Sequence, residues 1–149
     1  MQSEGYEFVP NEENEVYIFF SSGPRGVVTK MVVFEEVGQN NFNVAFGDYD
    51  FNQNKFDDKI ITDNKDTIKV LATVIKIMLE FFEKNPDAEV LVEGNSTVRK
   101  KLYHKIVCDY WNQICLNFTI FGIINGHQEP FLSEKYYQKL KIVKKNEKR

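Results

Sequence analysis

DTIKVLATVIKIMLEFFEKN, residues 66–85, is the stretch on which the fold turns. Between Ile68 and Phe82 only Lys69, Thr73, Lys76 and Glu80 are not apolar, and they recur at spacings of four, three and four. On a helix of 3.6 residues per turn those four fall in one stripe, and most of the remaining circumference is apolar. Such a helix has to be covered on more than one side, so it is expected at the centre of a single core with strands against it. At 1.5 Å per residue it is about 30 Å long, roughly the diameter of a small domain. Asp66 stands where a helix cap belongs, with Asn64 as a rival. Asn85-Pro86-Asp87 ends the helix, because the residue before a proline is pushed out of helical geometry.

Working back from this helix, the first half of the chain reads as strands. Tyr6 to Val9 is a short extended segment ended by Pro10. Val16 to Ser21 is β-branched and aromatic, and Ser21-Ser22-Gly23-Pro24-Arg25-Gly26 behind it is a turn signal. Val27 to Glu36 returns, a second turn spans Gly38 to Asn41, and Phe42 to Asp48 alternates large and small side chains. The small side, Asn43, Ala45 and Gly47, invites a close neighbour. Asp48 to Lys59 reads as a polar, solvated loop. Asp48, Asp50 and Asn52 imitate the first ligands of a calcium loop, but Gln53 stands where glycine is required and Lys59 where the bidentate glutamate belongs. A short strand, Ile60 to Thr62, precedes the central helix.

Working forward, Glu89 to Glu93 is a short strand and Gly94 turns into a second helix over Ser96 to Asn117. Val98, Leu102, Tyr103, Ile106, Val107, Tyr110, Trp111, Ile114, Cys115 and Phe118 form its expected core stripe. Thr119 to Ile124 is another strand, Asn125-Gly126 a turn that leaves His127 in a loop, and Gln138 to Lys144 a last strand, with a basic tail over 144–149 expected to fray. Strand, long helix, strand is a crossover unit and calls for one parallel pair in an otherwise antiparallel sheet. The expected class is α+β with a mixed, mostly antiparallel sheet: a three-strand meander, then helix, strand, helix, strand, strand, in one domain over 1–149.

The totals narrow the functional classes. A chain of 149 residues with 42% hydrophobic content and thirteen Phe has enough apolar mass for one folded core. No apolar run suits a leader or a membrane span, so a cytoplasmic protein without membrane contact is expected. Cys108 and Cys115 are seven apart on one expected helix, about 10 Å along its axis, too far for a disulfide. Free thiols fit a reducing compartment. Residues 1–66 carry thirteen acids and five bases, and residues 67–149 nine and fourteen, so a net charge of −3 conceals −8 and +5. Two solvated faces explain this, as does an anion or nucleic-acid surface in the second half.

The candidate site lies in Gly94-Asn95-Ser96-Thr97-Val98-Arg99-Lys100-Lys101. A strand, a glycine and a helix start leave free N–H groups that favour an anion, and Ser96 or Asn95 can cap them. Arg99, Lys100 and Lys101 crowd the first turns, where the helix dipole disfavours cations by about 0.3–1 kcal/mol each. A bound phosphate, carboxylate or acidic partner reverses that sign; the plainer alternative is three solubilising charges on an exposed face. Tyr103 stands four after Arg99 and can lay its ring beside the guanidinium. His104 and Cys108, also four apart, imitate a catalytic pair but lack a third orienting group. There is no P-loop, no metal-spaced His/Cys set and no Gly-x-Ser-x-Gly elbow, so no cofactor and no metal is expected.

Val70 to Phe82 with its Ala72-Thr73-Val74, Pro86-Asp87, and Gly94 followed by Ser96-Thr97, Arg99 and Leu102-Tyr103 resemble an uncharacterised bacterial family of about this length. Its marks are an Ala-Thr-Val helix and a Gly-Ser-Thr-x-x-Arg-x-x-Leu-Tyr helix start. The likeness includes Ala45-Phe46-Gly47-Asp48 and covers nearly the whole chain, with Asn95 inserted after the glycine. It implies a fold and a site position but no activity. More loosely, the element order after the meander, and Asn95 to Lys105, are similar to the GNAT acetyltransferases. Those enzymes carry Arg/Gln-x-x-Gly-x-Gly/Ala before the central helix to hold the coenzyme A pyrophosphate. Asn64-Lys65-Asp66-Thr67-Ile68-Lys69 has no glycine there and an acidic cap that repels it. The expected function is therefore a binding or interaction module using Asn95, Ser96, Thr97, Arg99, Lys100, Lys101 and Tyr103 on an acidic protein or nucleic-acid phosphate. It could form one half of a toxin–antitoxin-like pair, or a homodimer. A divergent acyl-CoA-dependent N-acyltransferase is the alternative.

Overall fold

The computed structural model describes residues 5–11, 15–57, 64–93 and 96–145. It is an α+β fold with a nine-stranded, mostly antiparallel sheet and three helices among those residues. Packing divides the chain into two compact units, one of residues 1–35 and 45–84 and the other of residues 36–44 and 85–149.

In the first unit, β2 (Val16–Gly23) and β3 (Gly26–Gly38) form a hairpin in register from Val16 opposite Val33 to Gly23 opposite Gly26. Tyr17, Phe19, Lys30, Val32 and Phe34 are all buried on one face of it. The helix α1, Thr67–Lys84, matches its expected span and sets Phe81 flat against Phe34, ring centroids 3.9 Å apart. Every apolar residue of α1 except Ile68 is buried or half-buried. The polar stripe is interrupted at Thr73, which is buried. Its hydroxyl donates to the Lys69 carbonyl and accepts the Tyr6 N–H at 2.7 Å.

That last bond alters the N-terminal segment. Tyr6 to Val9 was expected as a strand, but the Tyr6 amide is turned to the helix and only β1, Val9–Pro10, pairs with β2. Pro10 is tolerated because β1 is an edge strand. The expected polar loop after Asp48 is also corrected. β4 (Asn41–Asp50) continues to Asp50, and β5 (Lys55–Asp57) returns against it with Tyr49 opposite Phe56. Two aromatic residues across from each other, with Asn54 in the left-handed region at φ 52°, make a hairpin of what polarity alone suggests is loop. Asp48 is no calcium ligand here, since its carboxylate pairs with the buried Lys30 ammonium at 2.7 Å. Ile60 to Thr62 lies outside the described residues.

In the second unit, the first part of β4 pairs in parallel with β6 (Glu89–Val92), which is the parallel pair the crossover argument requires. β6 pairs with β9 (Lys139–Lys144), and β9 with β7 (Phe118–Ile124), so the last strand is inserted between its predecessors. Asn125-Gly126 turns at φ 52° and 78° as expected, but His127 leads a further strand, β8 (His127–Pro130), and not a loop. The basic tail is held as far as Lys145, whose N–H donates to the Asn117 carbonyl at 2.8 Å and whose ammonium donates to the Cys115 carbonyl.

The second helix is not continuous over 96–117. α2 (Thr97–Asp109) stops at Tyr110, whose φ of −117° and ψ of 27° leave the helical well, and one short turn follows, α3 (Trp111–Ile114). Its buried face is the expected one except at its start. Val98 is 76% exposed and Arg99 only 3%. At about 100° per residue, Val98 lies about 130° from the centre of the stripe set by Tyr103, Ile106, Val107 and Tyr110, whereas Arg99 lies about 30° from it.

Candidate functional site

Ser96 caps α2. Its extended backbone (φ −156°, ψ 162°) brings Oγ within 3.2 Å of the Arg99 N–H, which it accepts. Asn95, the rival cap, lies outside the described residues, and Thr97 is an exposed first helical residue. The basic cluster is then divided by the helix. Arg99 turns inward, where its Nη1 donates to the Tyr103 hydroxyl at 2.7 Å and its guanidinium stands 6.0 Å from the ring centroid. The expectation of three exposed cations therefore fails for Arg99. The reason is its position on the apolar stripe, where the long stem packs and the phenol accepts the charged tip. Lys101 faces solvent, and Lys100 lies between the two, half-buried.

Lys100 borders a shallow surface cleft that sequence reasoning does not reveal. Its other walls are Val92 of β6, Tyr103 and His104 of α2, and Tyr137 to Leu140 leading into β9. Tyr137 can lie there because β7 has a glycine beneath it: a Cβ on Gly122 would stand 2.3 Å from the Tyr137 ring. An isolated glycine within Thr119-Ile120-Phe121-Gly122-Ile123-Ile124 signals close approach. Which ring approaches is fixed only by the chain fold.

Most polar groups around the cleft already have partners. The Tyr137 hydroxyl donates to Glu129 at 2.6 Å and accepts the Leu132 N–H at 3.1 Å. Burial and that bond to Glu129 push the Tyr137 phenol above its usual range, while bonds from Tyr137 and Lys135 hold Glu129 below the usual carboxylate range. Gln138 bonds Asn125 through both ends of its amide. Lys100 and Lys139 differ. Among the described residues neither has an ion-pair partner, and the two line the cleft from a helix and from a strand.

His104 and Cys108 do meet, Nε2 to Sγ at 3.5 Å, but not as a nucleophile and its base. The same Nε2 is 3.0 Å from the Ser133 carbonyl, which can only accept, so Nε2 carries the proton and cannot take one from sulfur. Burial pushes the Cys108 thiol up, away from the thiolate that nucleophilic chemistry needs. Cys115 is likewise free, with its thiol pushed up by burial. No cluster of three or more metal-ligating side chains occurs among the described residues.

The start of α1, where the acetyltransferase resemblance would seat a pyrophosphate, is filled by the chain itself. One oxygen of Asp66 accepts both the Tyr6 and the Ser21 hydroxyls at 2.6 Å. Buried Asn64 accepts the Arg25 N–H and donates to Ser21 and to the Gly26 carbonyl. Its own carbonyl occupies the space a Cβ on Gly23 would need.

Among the described residues, no helix is long and apolar enough to cross a membrane. No curated protein and no solved structure matches the chain. Residues 2–145 match the sequence model described as Family of unknown function (DUF6934), and the chain belongs to that family.

Proposed function

We propose that the protein is a non-enzymatic binding module whose basic cleft takes a carboxylate from an acidic segment of a partner protein. The observation that carries this reading is that Lys100 and Lys139, one from a helix and one from a strand, line the same cleft and have no ion-pair partner among the described residues. An uncompensated pair of cations favours an anion between them, and Val92, Leu140 and the rings of Tyr103 and Tyr137 supply an apolar floor beneath it. Lys101, exposed one residue on, extends the charge at the rim. A nucleic-acid backbone fits less well. It is usually held by a longer run of phosphate contacts, and the chain as a whole is acidic with a pI of about 5.5. Arg99 acts behind the cleft, holding Tyr103 in place and contacting no ligand.

The test is a titration of a labelled oligoglutamate and of single-stranded DNA against the protein and a Lys100→Glu/Lys139→Glu variant. Oligoglutamate is expected to bind in a salt-sensitive way and to lose at least about tenfold in affinity in the variant, at an unchanged melting temperature. Equal binding by parent and variant would refute the site; tighter binding of DNA than of oligoglutamate would move the reading to nucleic acid.

A second reading, a divergent acyl-CoA-dependent N-acyltransferase of GNAT-like layout, is favoured by one observation. With the short elements β5, α3 and β8 set aside, the order meander, α1, β6, α2, β7 and β9, with β4 and β6 parallel, supports the resemblance. The start of α1 opposes it, since Asp66 is a carboxylate where a pyrophosphate would lie and Tyr6 and Ser21 already engage it. Acetyl-CoA at millimolar concentration should leave the melting temperature unchanged. A clear rise would favour the transferase by mass action.

A further inference from the structure

An antiparallel sheet with one face in water normally alternates apolar and polar side chains, with charges outward. The first unit breaks that rule. Its inner face holds Tyr17, Phe19, Lys30, Val32 and Phe34, all buried. The residues that alternate with them, pointing the other way, are Val16, Ile18, Phe20 and the polar Ser22 on β2 and Val27, Thr29, Met31 and Val33 on β3. Val9 pairs with Ile18 and joins the same outer side. Phe46 and Asp48 contact the inner residues Phe19 and Lys30, so Ala45, Gly47 and Tyr49 of β4 also lie outward. Along this face the first charge met is Glu35, at its border. Phe20 is 50%, Val9 66% and Val27 70% exposed, and Ile18, Met31 and Val33 are half-buried. Strands apolar on both sides are the pattern of a sheet covered on both faces.

We infer that the outer face of β1–β4 in this unit is a homodimer interface, occupied by the same face of a second copy. Without lysine or arginine among its described residues, this face has no complement to offer an acidic protein, a nucleic acid or an anionic membrane. Packed on itself about a two-fold axis it sets apolar against apolar and carries Glu35 to the rim, with no like charges opposed in the middle. Two such sheets stack at about 10 Å in the manner of a sandwich. The size sets the strength. Three strands about 4.8 Å apart and eight residues long present about 14 by 26 Å, with roughly a dozen side chains, against about 20–30 on each side of a standard stable interface. The dimer is therefore weak, with a dissociation constant in the micromolar range.

Sedimentation equilibrium of the full chain from about 1 to about 200 µM tests this. The parent is expected to pass from monomer to dimer within that span, and Phe20→Lys to weaken the dimer at least about 30-fold, the loss of an aromatic anchor. Val27→Lys, at the strand end beside the turn and remote from the core, carries the test if circular dichroism shows that Phe20→Lys does not fold. A parent monomeric throughout overturns the inference, as does a dimer that a folded lysine variant leaves intact. The Lys100→Glu/Lys139→Glu protein should dimerise like the parent, so the cleft and the face stand or fall separately.

Discussion

Two helix starts in this molecule have opposite fates. At the start of α1 the chain closes on itself: Asp66 takes two hydroxyls, Asn64 makes three hydrogen bonds, and Lys69 stands over the Tyr6 ring at 4.3 Å. At the start of α2 the cap is made by Ser96 and the buried cation by Tyr103, yet Lys100 and Lys139 beside it have no partner carboxylate among the described residues. Both begin with polar residues just before the helix, so that feature does not separate them. What separates them is whether another segment of the chain arrives with matching groups, and only the unmatched one offers a ligand something to gain.

The contrast is most easily broken at Asp66. Asp66→Ala removes two short, charge-assisted bonds and should cost about 3 kcal/mol by urea denaturation, whereas Lys100→Ala and Lys139→Ala should each stay within about 0.5 kcal/mol. Comparable losses at both helix starts would erase the distinction. Next in size is Gly122→Val, which drives a side chain into the Tyr137 ring. It should cost about 2 kcal/mol and abolish oligoglutamate binding together with it, because the cleft loses its wall. Retained binding would show that Tyr137 is not part of the site.

The smallest effect sharpens the picture of the closed unit, which has one flaw. The Tyr17 hydroxyl is buried without a hydrogen-bond partner among the described residues, and burial, with the Glu80 charge adding, pushes its phenol up to about 12. Tyr17→Phe should therefore raise stability by about 1 kcal/mol at neutral pH. Since the folded phenol ionises later than the unfolded one, whose ordinary value is about 10, the parent loses stability through Tyr17 as pH rises from about 10 toward 12, a loss the phenylalanine variant is spared. Its advantage should widen over that window in denaturation curves. A constant difference across it would mean that Tyr17 ionises as freely folded as unfolded.

The elements that were legible are those whose signal is carried by near neighbours in the chain. The span of α1, the β2–β3 hairpin with its Gly-Pro-Arg-Gly turn, the Asn125-Gly126 turn and the Ser96 cap all follow from spacings of a few residues. The parallel pairing of β4 with β6 followed from the length of the crossover. Ser96, Arg99 and Tyr103, grouped from their spacing, do contact one another, and helical arithmetic applied to Arg99 itself shows that it faces inward. The hairpin at Tyr49 and Phe56 and the strand at His127 were missed because their residues are polar and the pairing partner supplies the order.

The sequence by itself determined where the helices and turns fall, the α+β class and the family, because periodicity, caps and breakers act over one or two turns of chain. Only the tertiary structure decided that Arg99 is buried, that Lys139 comes to stand with Lys100, and that Asp66 is engaged by Tyr6 and Ser21. Those outcomes depend on contacts between segments far apart in the chain, as in the 60 positions between Tyr6 and Asp66. Local spacing carries no information about which distant groups will be brought within hydrogen-bonding reach.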